Sequence, residues 1–166
     1  MARIALASSV SDVDDAEVKL LSDALGAEGH DVSVEVWDDD SVDWHAYALT
    51  VVRSTWDYTP RREAFLEWTR RVPRLRNRAE VIAWNTHKTY LRDLAQAGCP
   101  VIPTAWDVND EDTLVAHAEA WAIPVDGTEW VVKPAVSASS RDTARMAEAS
   151  PALGNCCNTR PGRPSL

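Results

Sequence analysis

The chain has 166 residues and a formal net charge of −9, so it can form one domain or one domain with part of another. The acidic balance argues against nucleic acid or an anionic membrane as the main partner, because both bind a basic face. The three cysteines and four histidines lack metal-ligand spacing, so we predict no metal site and no disulfide framework. No apolar run is long enough to span a membrane. The N-terminus turns acidic too soon for a signal peptide, and we expect a cytoplasmic protein.

The N-terminal half of the chain has the pattern of an α/β domain. Apolar or alternating segments predict four strands, at residues 3–8, 31–37, 48–53 and 72–77. Helical spacing predicts a helix from about Asp14 to Glu28, capped by Ser11 or Asp12. A second helix is predicted to start at Pro60. The order β-α-β-β-α-β indicates a mainly parallel sheet, and we assign residues 1–82 to this domain.

The C-terminal half is less regular, and we divide it into a second lobe, residues 83–147, and a tail, residues 148–166. Within the lobe we predict a helix at 86–97, a strand at 101–104, a helix capped by Asp110 and a buried strand at 129–132. The tail is rich in glycine and proline and has no periodicity, which is typical of a disordered segment.

The segment after the last predicted strand has the composition of an anion-binding loop. Lys133 follows the strand and precedes a run of small residues that includes three serines. A lysine supplies charge, and small side chains let backbone N–H groups approach a phosphate, although glycine is the usual residue at such positions. The candidate residues are Lys88, Lys133, Ser137, Ser139, Ser140 and Arg141. The alternatives are two surface lysines and a helix that begins after Asp142.

A polar and aromatic group follows the third predicted strand and contains Arg53, Trp56, Asp57 and Tyr58. Parallel sheets bind ligands beyond the carboxyl ends of their strands. An arginine at this place can bind a substrate carboxylate, and the rings can form the walls of its pocket. The alternative is structural: Arg53 pairs with Asp57, and the two rings pack between elements.

From the N-terminus to about Arg145, the chain resembles bacterial ATP-grasp proteins of the glutathione-synthetase-like branch, which includes the O-ureido-serine cyclo-ligase group. Each motif alone is short, but their order and spacing match together. The motifs are Arg53-Ser-Thr-Trp-Asp-Tyr58, Trp84-Asn85-x-x-Lys88-x-Tyr90-Leu91, Gly98-x-Pro100-Val101-x-Pro103-Thr104, Val131-Val132-Lys133-Pro134-Ala135-Val136-Ser137-Ala138 and Ser140-Arg141-Asp142-Thr143.

This resemblance implies an α/β fold with an N-terminal pre-ATP-grasp domain, followed by the first, incomplete lobe of an ATP-grasp fold. It also implies that Lys88 and Lys133 contact ATP, that the loop from Ser137 to Thr143 covers the phosphates, and that the segment from Arg53 to Tyr58 faces a small acid substrate. Members of the family use Mg-ATP to convert a carboxylate into an acyl phosphate, and an amine or similar nucleophile then displaces the phosphate.

The chain departs from the family at its C-terminal end. The second ATP-grasp lobe, which supplies the adenine contacts and the Mg²⁺ ligands, is missing from the sequence. We therefore expect a truncated fragment of an ATP-dependent carboxylate–amine or cyclising ligase that is inactive alone and self-associates through an exposed sheet edge. The alternatives are a non-enzymatic α/β module that binds a small acid and a nonfunctional remnant.

Overall fold

A computed structural model describes residues 1–108, 110–124 and 127–146. The chain divides into two compact units, an N-terminal unit, Met1–Thr86, and a C-terminal unit that begins at His87. The predicted disordered tail, residues 148–166, lies outside the described residues. No helix in the described ranges is both long and apolar enough to cross a membrane.

The N-terminal unit is built on one parallel sheet, as its strand order in the sequence predicted. Its strands are β1 (Arg3–Ser8), β2 (Asp31–Val36), β3 (Leu49–Ser54) and β4 (Leu75–Arg76). They lie side by side in the order β2-β1-β3-β4, and each neighbouring pair is parallel. The α/β class is therefore confirmed, with β4 reduced to two residues.

Three helices belong to this unit: α1 (Ala16–Ala27), α2 (Arg62–Arg71) and α3 (Ala79–Asn85). Asp15 caps α1 by accepting a hydrogen bond from the Glu17 backbone N–H at 2.7 Å. The prediction of Ser11 or Asp12 as the cap was wrong, because the Asp12 carboxylate accepts bonds from serine hydroxyls before the helix.

The start of the second helix was also predicted too early. Pro60 lies inside a 3-10 segment, Trp56–Arg61, and α2 begins only at Arg62. The arginine side chain then joins two helices, because Arg62 Nε donates to Thr86 Oγ1 at 3.1 Å and its Nη2 donates to the carbonyl of Ala83 at 3.0 Å.

Hydrophobic residues cover both faces of the sheet. On one face, Ile4 and Leu6 of β1 pack with Val18 of α1. On the other face, Ala7 contributes to a cluster that contains Phe65 and other large side chains. Because strand side chains alternate between faces, the small alanine leaves room for the aromatic rings of α2 and its neighbours. The N-terminal unit thus has three layers, helix, sheet and helix, and burial on both faces explains the continuous apolar run of β1.

The C-terminal unit contains two helices and a hairpin: α4 (Tyr90–Gln96), α5 (Glu111–Ala120), β5 (Trp130–Val132) and β6 (Ala144–Met146). Asp110 caps α5, as predicted, through a 2.7 Å bond from the Thr113 N–H. β5 pairs antiparallel with β6, with Val131 opposite Arg145. β5 forms where a strand was predicted, but Val131 is 50% exposed, so the prediction that this strand is buried was wrong.

Two further sequence predictions for this region differ from the structure. The helix predicted at 86–97 is shorter, since α4 begins only at Tyr90 and ends at Gln96. No strand forms at 101–104, because the prolines at 100 and 103 have no N–H to donate to a strand ladder.

Candidate functional site

The carboxyl ends of β1 and β3 form the first candidate site. The sheet order places β2 on one side of β1 and β3 on the other, so the connections leave these neighbouring strands in opposite directions. Open α/β sheets bind ligands at this kind of switch point. The segment from Arg53 to Tyr58 lies here, at the end of β3 as predicted.

Arg53 occupies an irregular position in β3. The register of β1 and β3 runs from Ala7 opposite Val52 to Ser8 opposite Ser54, so it skips Arg53. An extra residue in one strand bends it, and such bulges are frequent beside active sites. The Arg53 guanidinium pairs with Glu17 in the first turn of α1. The alternative pairing of Arg53 with Asp57 was therefore wrong.

Asp57 belongs to a different network. Its Oδ1 accepts the indole N–H of Trp37 at 2.9 Å, and its Oδ2 pairs with Arg61. Arg61 also pairs with Asp38, and its guanidinium lies 4.8 Å from the centre of the Trp37 ring. The carboxylate of Asp57 is thus engaged within the fold, on the side of the segment that follows β2.

Trp56 and Tyr58 differ in exposure although only one residue separates them. Trp56 is 46% exposed and can contact a ligand. Tyr58 stacks on Phe65 with ring centroids 5.2 Å apart. Burial raises the pKa of Tyr58, and the nearby charge of Arg62 opposes that rise in part. Tyr58 is therefore an uncharged packing residue near neutral pH. The ring of Trp56 can form one side of a binding pocket.

A serine-rich turn after β1 completes this site, and the sequence analysis missed it. Ser8 Oγ and the Ser9 N–H both donate to the carbonyl of Ser54, at 3.1 and 2.7 Å. Ser9 Oγ lies 3.0 Å from Ser11 Oγ, and both hydroxyls donate to Asp12. The signal was present in the sequence as three hydroxyl or carboxyl residues, Ser9, Ser11 and Asp12, within four positions of the end of a central strand. These groups place hydrogen-bonding side chains beside the end of β3.

A cavity lies elsewhere in the N-terminal unit, away from the ends of β1 and β3. It has a volume of about 370 Å³ and is lined by the loop after β2 and by one side of α2, including Trp44, Arg61 and Trp68. Asp38 in its wall is paired with Arg61, and Asp39 accepts the Ser41 N–H at 2.8 Å. Most of its charges are thus satisfied internally.

The predicted anion-binding loop is the connection between β5 and β6, from Lys133 to Thr143, in the C-terminal unit. The strand β6 follows it, so the alternative that Asp142 caps a helix was wrong. The Lys133 side chain is exposed and makes no hydrogen bond or ion pair with another described residue. It is therefore available to an anion.

Lys88 lies in the turn before α4 and contacts this loop directly. Its Nζ donates to the carbonyl of Pro134 at 2.8 Å and to Ser137 Oγ at 2.6 Å, with the carbonyl of Ser137 at 3.4 Å. Its backbone N–H donates to the carbonyl of Ala135 at 2.8 Å. Burial lowers the pKa of Lys88, and the charge of Lys133 lowers it further. Both predicted lysines thus lie at one loop, since Lys88 is bonded to it and Lys133 is its first residue.

The loop backbone adopts conformations that glycine normally supplies. Ser139, Ser140 and Asp142 have φ angles of 51°, 56° and 54°, in the left-handed region that disfavours residues with a Cβ atom. Two turns form there, with Arg141 N–H bonded to the Ala138 carbonyl at 3.0 Å and Thr143 N–H bonded to the Ser140 carbonyl at 3.2 Å. Serines therefore occupy positions where the sequence analysis expected glycine.

Across residues 1–108, 110–124 and 127–146, no group of three or more His, Cys, Asp or Glu side chains is placed to hold a metal ion. We therefore assign no described residue to magnesium and no step of a reaction to the metal.

Comparison with known sequences supports the family resemblance. Residues 4–78 match the family described as the N-terminal domain of D-cycloserine synthetase DcsG. The cycloserine biosynthesis protein DcsG of Streptomyces lavendulae is 34% identical over 134 residues, which cover 79% of this chain and 45% of that protein. The chain thus spans less than half the length of this curated relative.

Solved structures show the same relationship in the fold. The crystal structure of D-cycloserine synthetase DcsG matches with a TM-score of 0.72 and 30% identity, over 87% of this chain and 50% of that one. A RimK domain protein of the ATP-grasp type from Sphaerobacter thermophilus matches with a TM-score of 0.61 and 20% identity, over 89% of this chain and 54% of that one. The second match shows a shared fold only.

Proposed function

We propose that this chain, which is related to the ATP-grasp proteins, supplies the acid-binding domain and one phosphate-binding wall of an ATP-dependent carboxylate–amine or cyclising ligase. The observation that carries the proposal is the convergence of Lys88 and Lys133 on the loop between β5 and β6. Two ammonium groups beside a loop of small side chains suit the charge of a triphosphate.

ATP, when bound, would supply the phosphoryl group that turns a carboxylate into an acyl phosphate with release of ADP, and a nitrogen nucleophile would then attack the acyl carbon and displace phosphate. Within this chain, Lys133 offers an exposed ammonium group to the phosphates, and Ser137, Ser139, Ser140 and Arg141 lie in the same loop. Positive charge fixed near the transferring group stabilises the charge that develops in the transition state.

The acid substrate is assigned to the ends of β1 and β3. The exposed ring of Trp56 can form one side of the binding site, and the guanidinium of Arg53 can pair with a carboxylate. The hydroxyls of Ser9 and Ser11 supply hydrogen-bonding groups. Arg53 would exchange Glu17 for a substrate carboxylate, a change eased by the exposure of Glu17. The same observation favours the second candidate function, a non-enzymatic module that binds a small acid.

We further propose that the chain alone does not turn over ATP, because its described residues include no set of magnesium ligands and the charge of the triphosphate would be only partly neutralised. A cytoplasmic location and self-association through an exposed strand edge belong to the same proposal. Sedimentation velocity over a range of concentrations tests the association, and a constant sedimentation coefficient would exclude it.

Calorimetric titration with ATP tests the nucleotide assignment. We expect weak binding to the wild-type chain and loss of that binding in Lys133→Ala, because the exposed ammonium group is removed. Lys19→Ala is the matched control, since Lys19 is an exposed lysine on α1 that pairs with Asp23, and it should bind like the wild type. Equal, measurable binding in both variants would contradict the assignment and favour the acid-binding module.

A further inference from the structure

Resting on the proposed function, we propose that Lys88 is a positioning residue: its ammonium group holds the loop between β5 and β6 in shape, while Lys133 offers its charge to the phosphates. The two lysines then have different tasks. The loss of each should therefore change a different measurable property of the protein.

The hydrogen bonds of Lys88 are the evidence that the two lysines have different roles. An ammonium group has three N–H donors, and three oxygen atoms of one short segment lie around Lys88 Nζ: Pro134 O at 2.8 Å, Ser137 Oγ at 2.6 Å and Ser137 O at 3.4 Å. The Lys88 backbone N–H adds a fourth bond, to Ala135 O at 2.8 Å. Lys88 thus contacts this segment through both its side chain and its backbone.

Lys133 has the opposite environment. Its side chain is exposed, and none of the hydrogen bonds or ion pairs among the described residues involves its ammonium group. Its charge reaches Lys88, whose pKa it lowers, so the two groups lie within electrostatic range of each other. Among the described residues Lys133 is therefore the lysine of this pair whose ammonium group is unbonded, and an anion that enters from solvent would meet it first.

The loop needs such an anchor. Ser139, Ser140 and Asp142 all have left-handed φ angles, which cost free energy in residues with a Cβ atom and persist only where neighbouring contacts impose them. The contacts of Lys88 with Pro134 and Ser137 fix the segment that leads into this strained part. Without them the loop should open locally while the rest of the unit stays folded.

Hydrogen exchange measured by mass spectrometry on the full chain, without nucleotide, tests the inference. Lys88→Met should raise exchange in the segment 134–143 by roughly ten-fold, the effect of losing a hydrogen bond from a charged donor. Lys133→Met should leave that segment unchanged. Lys88→Arg should restore much of the protection because it keeps a charged donor. Peptides from α5 should be unaffected in all variants.

Ser137→Ala provides a second test that does not depend on Lys88 variants folding. It removes the hydroxyl that accepts the 2.6 Å bond, and it should raise exchange in the same segment by a smaller factor. Equal exchange in wild type, Lys88→Met and Ser137→Ala would overturn the inference. So would equal increases in Lys88→Met and Lys133→Met. Because no nucleotide is present, these outcomes are independent of whether the chain binds ATP.

Discussion

Trp37 donates its indole N–H to Asp57 Oδ1 across 2.9 Å, and this bond joins the end of β2 to the segment that follows β3. Arg61 closes the network, because it pairs with Asp57 and lies over the Trp37 ring. Asp57 was predicted to face a substrate, but its carboxylate is bonded to Trp37 and Arg61, whereas Arg53 pairs with Glu17. We therefore expect substitution of Asp57 to lower the free energy of unfolding of the chain.

A double-mutant cycle of Trp37→Phe and Asp57→Asn measures this interaction. The coupling free energy should be about 1–3 kcal/mol, since the bond joins a buried indole to a charged acceptor. Urea denaturation of the four proteins, followed by tryptophan fluorescence, gives the unfolding free energies. A coupling near zero would mean that Asp57 is free to serve a ligand.

The aromatic cluster on the α2 face should dominate the stability of the N-terminal unit. Phe65 is 2% exposed and contacts Trp37, Tyr58 and Trp68 at centroid distances of 5.2, 5.2 and 5.4 Å. Phe65→Ala should lower the unfolding free energy by about 3–5 kcal/mol through lost burial and a cavity. Leu20→Ala on the exposed side of α1 is the control and should change it by less than about 0.5 kcal/mol.

The cap of α1 gives a test of local structure. Asp15→Ala should destabilise the chain by about 0.5–2 kcal/mol, because the Glu17 N–H loses its acceptor at the helix start. Asp14→Ala removes a neighbouring charge without removing the cap. Thermal unfolding should show a smaller loss of stability for Asp14→Ala than for Asp15→Ala. Equal losses of stability would show that charge, and not the hydrogen bond, is responsible.

Alkaline pH should weaken the fold through its tyrosines. Burial raises the pKa of Tyr58 above the ordinary value of 10.0, so the unfolded chain releases this proton before the folded chain does. The stability that results is present below pH 10 and is lost as the pH rises toward the folded-state pKa. In denaturant melts from pH 8 to about 11, Tyr58→Phe should lose less stability with rising pH than wild type. Identical slopes would contradict the assignment.

Much of the N-terminal unit was predictable because local and tertiary preferences agree there. The apolar run from Arg3 to Ser8 is buried on both faces, and the alternating segment from Asp31 lies at the sheet edge. Gly29 has a φ of 84° just after α1, a conformation that favours glycine at helix ends. The end of β3 was therefore placed correctly, and with it the segment of the candidate acid site.

The errors arose where side-chain hydrogen bonds, or the pairing of separate segments, decide the local structure. Serine hydroxyls donate to the Asp12 carboxylate, and Asp15 caps the helix in its place. The spacing of apolar residues alone does not reveal this. The pairing of β5 with β6 turns the loop after Lys133 into a hairpin connection. This pairing was not predicted, because β6 is only three residues long and has little pattern of its own. The bonds from Lys88 to that loop are equally non-local and could not be read from either segment.

The measurement that tests the account most directly is ADP release by the purified chain with Mg-ATP and candidate amino-acid substrates. The proposal that this chain supplies one wall of a two-walled nucleotide site predicts no ADP above the protein-free blank, together with weak ATP binding that Lys133→Ala abolishes. Robust release of ADP that depends on Mg-ATP would contradict it, because the chain would then complete the phosphoryl-transfer site by itself.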